Sequence, residues 1–197
     1  MNIGSLLEQN ARKFSELLAI ECEGRSYTYR QFNEEVNKLA NGLLKQGINK
    51  GDKLALMMKN SDHFVFTFFA AAKIGAIAVP VNFRLTASEV HYILDQSDTS
   101  LVVCDKEFEP NIAAAKLGTD VRFVITIGEP DTTGHYSYEG MLSDNLAEPD
   151  VEVSEQDDLE ILYTSGTTGR PKGALFDHSQ IFKVGIAVVI NMGIRQH

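Results

Sequence analysis

The chain has 197 residues, 44% of them hydrophobic and 23% charged, which suits one domain or one and a half and leaves enough apolar material for a real core. Its formal charge of −9 argues against a surface built for nucleic acid or an anionic membrane, since neither polyanion is drawn to a net acidic field; any phosphate recognition has to be local. Cys22 and Cys104 stand far apart in apolar, strand-like stretches, a pattern of neither metal ligands nor a disulfide framework, and we read both as buried thiols in a reducing cytoplasm.

The start, Met1-Asn-Ile-Gly-Ser-Leu-Leu-Glu, has no basic segment followed by an apolar one, so it reads as an amphipathic helix rather than a signal peptide. Ile3, Leu6, Leu7, Ala11 and Phe14 carry that helical spacing, and the runs from Leu18 and Ser26 flank a Glu23-Gly24 turn as a hairpin. Thr28 and Gln31 have capping-box spacing and open a helix with the stripe Phe32, Val36, Leu39, Leu43 and Leu44, ending at Gly47.

Lys53 to Met58 reads as a buried strand, Ser61 as the cap of a helix through Ala72, and Ala76 to Val81 as the next strand, with Pro80 marking its end. Thr86 with Glu89 caps a helix bearing Val90, Ile93 and Leu94. A strand from Ser100 to Cys104, a helix around Ile112 to Leu117 and a strand from Val121 to Ile127 follow. Strands alternating with helices predict an α/β fold with a largely parallel, helix-covered sheet. From Asp144 to Glu160 carboxylates are frequent and Lys and Arg absent, as in a solvated connector. We therefore divide the chain into an α/β subdomain over 1–146, an acidic connector over 147–158, and the start of a second subdomain over 159–197.

The strand-like run from Leu159 leads directly into Ser165-Gly-Thr-Thr-Gly-Arg-Pro-Lys-Gly173. Such a segment can bind phosphate. Gly166, Gly169 and Gly173 permit close backbone approach and positive φ, which turns amide N–H groups toward anionic oxygens. Thr164, Ser165, Thr167 and Thr168 add hydroxyl donors, and Lys172 adds a cation. A Walker loop needs Ser or Thr after its Lys, whereas Gly173 follows Lys172 here, so kinase or GTPase chemistry is not expected.

The run Tyr163-Thr-Ser-Gly-Thr-Thr-Gly-Arg-Pro-Lys-Gly173 resembles the signature of the adenylate-forming superfamily, which includes acyl-CoA synthetases, amino-acid adenylation domains and luciferases. Segments upstream, Tyr27 to Phe32, Gly51 to Leu56 and Lys73 to Asn82, resemble that family's helix-entry, first-strand and pre-proline segments in their usual order. The resemblance implies the N-terminal part of the large domain of an acyl-CoA ligase, incomplete as a fold. Thr164, Ser165, Gly166, Thr167, Thr168, Gly169 and Lys172 would hold the phosphates of ATP with Mg²⁺ while a carboxylate attacks the α-phosphorus. The acyl group would then pass to coenzyme A. Such a step depends on positioning and charge neutralisation and needs no protein nucleophile. A fatty acid is the favoured substrate and an aryl acid the second.

In that family the adenine-side Tyr-Gly-x-Thr-Glu segment, the ribose-binding Asp, the hinge and the C-terminal catalytic Lys follow the phosphate loop, and this sequence has none of them. The expectation is a fragment inactive by itself, with no catalytic residue and no metal ligand assigned; the alternative is a stand-alone nucleotide- or polyphosphate-binding module without turnover. Ile181, Phe182, Val184, Ile186, Val188, Val189, Ile190, Met192 and Ile194 make the last helix apolar around nearly its full circumference. Helices of that kind are normally buried on all sides, so self-association through it is expected. The apolar stretch Val184 to Ile194 is too short for a membrane span.

Among lesser candidates, His178 reads as a helix-start residue with a local hydrogen bond. His63, His91 and His135 read as surface or satisfied-core residues, and Asp157 and Asp158 as solvated linker carboxylates. Arg170 reads equally as a second phosphate cation or an exposed loop residue. The run Phe64 to Phe69 reads as helical core packing rather than an acyl pocket.

Overall fold

A computed structural model describes residues 1–164 and 170–192. Helix α1 (Ile3–Lys13) opens on Asn2, whose side chain accepts a hydrogen bond from the Ser5 amide. In the hairpin of β1 (Leu18–Cys22) and β2 (Arg25–Thr28), Glu23 and Gly24 take φ of 49° and 80°, as a tight two-residue turn requires. Thr28 caps α2 (Tyr29–Lys45) in a full capping box with Gln31. There follow β3 (Lys53–Met57), α3 (Asp62–Ile74), β4 (Ile77–Pro80), α4 (Ala87–Gln96), β5 (Thr99–Asp105), α5 (Glu109–Ala115) and β6 (Phe123–Ile127). The described chain closes with β7 (Tyr136–Ser137), α6 (Tyr138–Met141), β8 (Asp158–Thr164), β9 (Lys172–Asp177) and α7 (His178–Asn191).

Strands β3 to β9 form one seven-stranded sheet of order β7-β6-β5-β3-β4-β8-β9. All its pairings are parallel except that of β8 with β9. Alternate residues of the central strands serve two cores, which is why these strands read as continuous apolar runs. Leu54, Leu56, Leu101, Val103 and Ile125 pack with Phe32, Leu39 and Leu43 of α2 and with Phe66, Ala70 and Ile74 of α3. Ala55, Met57, Val102, Cys104 and Val124 pack with Val90, Ile93 and Leu94 of α4 and Ile112 of α5. The expected largely parallel, helix-covered sheet is present.

Several boundaries differ from expectation for local reasons. Helix α3 runs on to Ile74, because Gly75 at φ 69° supplies the left-handed C-cap. Helix α5 starts earlier, at Glu109 with Pro110 in its first turn, and leaves Leu117 outside at 69% exposure. The pair β7 and α6 was not expected, since a two-residue strand and a four-residue helix carry no usable periodicity. Cys104 is buried, and burial pushes its thiol up to about 12, but Cys22 is only half-buried.

The acidic stretch 147–158 meets cations from elsewhere in the chain. Glu148 pairs with Lys73, Glu155 with the N-terminal ammonium at 2.6 Å, and Asp157 with Lys50 at 2.5 Å. Lys73 is buried, and its Nζ also donates to Asn33 and Asn37 of α2 at 2.7 and 2.8 Å. Burial pulls the Lys73 ammonium below its usual range while Glu148 opposes that shift. The strand that follows, β8, hydrogen-bonds to β4, so the sheet runs unbroken from residues of the first expected subdomain into those of the second.

Candidate functional site

In the parallel sheet the C-terminal ends of β3, β4, β5, β6 and β8 share one edge, the edge at which open α/β sheets receive ligands. The Gly- and Thr-rich segment leaves the sheet there, at the end of β8, and returns as β9. Thr164 and Lys172 are paired across the two strands, so the hydroxyl residue and the cation named from sequence stand opposite each other at the mouth of the hairpin. Both are exposed. Ser165, Gly166, Thr167, Thr168 and Gly169 lie outside the described residues.

Gly173 differs from its sequence reading, since its φ is not in the left-handed region. It needs to lack a side chain because it faces Tyr163 across the ladder. A Cβ there would lie 2.8 Å from Ile161 Cγ2 and 3.1 Å from Tyr163 Cζ. A register shift between Asp158 and Glu160 accompanies a change of face. Leu159 packs with Ile3 and Ala72 on the α1/α3 side, whereas Ile161 and Tyr163 pack with the α4 core.

The Tyr163 hydroxyl donates to Gln96 Oε1 on α4, and burial raises this phenol above its usual range. On the return side, Tyr92 of α4 donates to the Pro171 carbonyl at 3.3 Å, and the Arg170 guanidinium carbon lies 5.4 Å from the Tyr92 ring centroid. Arg170 is exposed and rests on α4. Sequence reasoning assigned nothing to Tyr92 and Gln96; their only signal is i, i+4 spacing on one helix, which is common.

The remaining candidates take structural positions. His178 starts α7 but its bond is not local: the Ile3 amide donates to Nδ1 at 3.1 Å, tying the N-terminus to α7. It is fully buried and burial lowers its pKa; because Nδ1 accepts the Ile3 amide, the proton of the neutral ring sits on Nε2. His135 is buried with Nδ1 2.8 Å from Glu109 and Nε2 3.2 Å from Lys116, and burial with Lys116 lowers its pKa. His91 Nδ1 meets the Ala115 carbonyl at 2.8 Å, and the His63 ring packs edge-on against Tyr138. Asp158 is exposed and Asp157 is engaged by Lys50. Phe66 is buried against Phe32 and Tyr27, as core packing of the Phe run requires. Among the described residues no group of three or more His, Cys, Asp or Glu could hold a metal ion, and no helix is long and apolar enough to cross a membrane.

A largely parallel α/β sheet thus carries a hairpin flanked by Thr164 and Lys172 at the edge where such sheets receive ligands. The family profile of AMP-binding enzymes matches residues 7–196, and the chain belongs to that family. It is similar to the long-chain-fatty-acid–CoA ligase FadD13 of Mycobacterium tuberculosis, with 38% identity over 98% of this chain and 38% of that protein. Its fold is similar to that of a long-chain-fatty-acid–CoA ligase, FadD1, of Archaeoglobus fulgidus, with TM-score 0.88 and 26% identity over 98% of this chain and 40% of the other. It is also similar to the anthranilate CoA ligase AuaEII in complex with anthranoyl-AMP, with TM-score 0.82 and 29% identity over 90% of this chain and 35% of the other. The chain spans 34% to 38% of the length of curated relatives such as a 3-oxocholest-4-en-26-oate–CoA ligase and FadD13.

Proposed function

We propose that this chain is the N-terminal portion of an ATP-dependent acyl-CoA ligase, with the segment Thr164 to Lys172 as its phosphate-binding element. The observation that supports it is the pairing of Thr164 with Lys172 at the ligand edge of a parallel sheet. Lys172 supplies a cation for the β- and γ-phosphates of ATP. Thr164 and the residues Ser165, Gly166, Thr167, Thr168 and Gly169 supply hydroxyl and amide donors. Mg²⁺ bound with the nucleotide would neutralise phosphate charge, and no residue of this chain is assigned as its ligand. The reaction class is attack of a carboxylate on the α-phosphorus with loss of pyrophosphate, then thioester formation with coenzyme A.

Fatty acids are the favoured substrate class and aryl acids the second, as the names of FadD13 and the anthranilate ligase support. By itself the chain is expected to be inactive and to reside in the cytoplasm. ATP–pyrophosphate exchange, run with fatty and aryl acids on this chain and on a version extended by the C-terminal portion of a relative, tests this reading. Exchange by the extended protein alone supports it; exchange by this chain alone, or none by either, counts against it.

Self-association through α7 is part of the same proposal. Val184, Ile186, Val188, Val189 and Ile190 of α7 and its C-cap Met192 are exposed, between 44% and 72%, an apolar surface that a soluble monomer rarely carries. Light scattering at micromolar concentration should give a species larger than the 21.8 kDa chain; a monomer sinks this part of the proposal.

A further inference from the structure

The main-chain ladder holds β8 to β4 only near its base. The register joins Ala78 to Glu160, and β4 ends at Pro80 while β8 continues to Thr164. The loop-bearing end of the hairpin therefore projects beyond its parallel neighbour, with nothing of β4 beside Tyr163 or Thr164 to fix it by backbone bonds. Side chains of α4 contact the hairpin at that end. On the entering strand, Tyr163 lies in the α4 core and donates to Gln96. On the returning strand, Tyr92 donates to the Pro171 carbonyl and carries the Arg170 guanidinium over its ring. Gly173 completes the arrangement by leaving room for the Tyr163 ring.

We propose that Tyr92 and Gln96 are positioning residues for phosphate binding: one helical turn apart on α4, they clamp the two ends of the phosphate-binding segment and set where Thr164 and Lys172 stand. This rests on the reading of that segment as a phosphate site. Ordering the groups that receive an anion costs conformational entropy. Holding Thr164 and Lys172 in place beforehand reduces that cost, so the clamp acts on phosphate affinity without touching phosphate.

The test is calorimetric titration of the chain with ATP and with inorganic tripolyphosphate, alongside thermal melts. Gln96→Ala removes an exposed side chain and Tyr163→Phe removes one hydroxyl while keeping the ring, so both variants are expected to fold. Each should weaken tripolyphosphate binding about 3- to 10-fold, the effect of losing one positioning hydrogen bond. Tyr92→Ala should do the same, and Tyr92→Phe, which loses the bond to Pro171 but keeps the surface under Arg170, should fall between Tyr92→Ala and the parent. Melting midpoints of Gln96→Ala and Tyr163→Phe should stay close to the parent, which separates positioning from general stability.

Lys172→Ala distinguishes the two ideas. If it leaves tripolyphosphate binding unchanged, or the parent chain does not bind, the phosphate reading fails and the clamp fails with it. If Lys172→Ala weakens binding while Gln96→Ala, Tyr163→Phe and Tyr92→Ala all bind like the parent, the phosphate reading survives and the clamp is overturned. A loss of affinity that only follows a fall in melting midpoint also overturns it.

Discussion

Replacing Gly173 by alanine adds one methyl group where two side chains already stand. The new Cβ would be 2.8 Å from Ile161 Cγ2 and 3.1 Å from Tyr163 Cζ, whereas non-bonded carbons rest at about 3.5–4.0 Å. Neither neighbour yields easily. Ile161 is β-branched and stiff at χ1, and Tyr163 is held at its far end by Gln96. Overpacking of this kind costs roughly 1–3 kcal/mol, and the better strand propensity of Ala over Gly returns about 0.5–1 kcal/mol. At mid-range values the net loss is about 1 kcal/mol, a fall of roughly 2–4 °C in melting midpoint for a domain of this size. Circular dichroism melts of Gly173→Ala and the parent measure it, with Gly185→Ala as the control, since nothing lies within 4 Å of a Cβ built on Gly185 in α7. The control should be neutral or slightly stabilised, as a Gly to Ala change in a helix usually is. If Gly173→Ala melts at or above the parent, close packing against Tyr163 and Ile161 is not why glycine stands there.

Acidification should destabilise the fold through its buried histidines. Burial lowers the pKa of His178 and of His135 below 6.5, so the unfolded chain takes up their protons first. Their contribution is complete above about pH 6.5 and declines as pH falls below it. Asp157 and Asp177 act against the His178 shift, while Lys50 and the N-terminal ammonium reinforce it. Melting midpoints at pH 7.5 and 5.5 should therefore differ, and by less in His178→Asn, which offers the Ile3 amide an acceptor that does not titrate; equal midpoints in the parent contradict this. Thiol labelling at pH 8 should modify the half-buried Cys22 in the native protein and Cys104 only after unfolding, because Cys104 is buried with its thiol raised to about 12. Equal labelling of both would mean the α4/α5 core opens readily. Ile190→Glu, at a position 71% exposed, should shift the light-scattering mass toward monomer without lowering the melting midpoint of that monomer; an unchanged mass places association elsewhere.

The sequence by itself determined most of the fold, because the signals for it are local. Capping pairs such as Thr28 with Gln31, the Glu23-Gly24 turn and the apolar runs of β3 and β5 depend on neighbours in the chain, and together they specify an α/β alternation. The segment proposed to bind phosphate was legible for the same reason, since its glycines, hydroxyls and lysine are contiguous. Tertiary structure decided what depends on residues far apart in sequence. Only the register of β8 with β9 sets Thr164 opposite Lys172, only the docking of that hairpin on α4 joins Tyr163 to Gln96 and Pro171 to Tyr92, and only the meeting of α1 with α7 gives His178 its partner in Ile3. Gly173 shows the limit most clearly: its lack of a side chain was read as backbone freedom, and it serves instead to admit a ring from the neighbouring strand. A contact between side chains leaves no periodicity in the sequence when its partners are chosen by packing, so such contacts become visible only once the chain has folded.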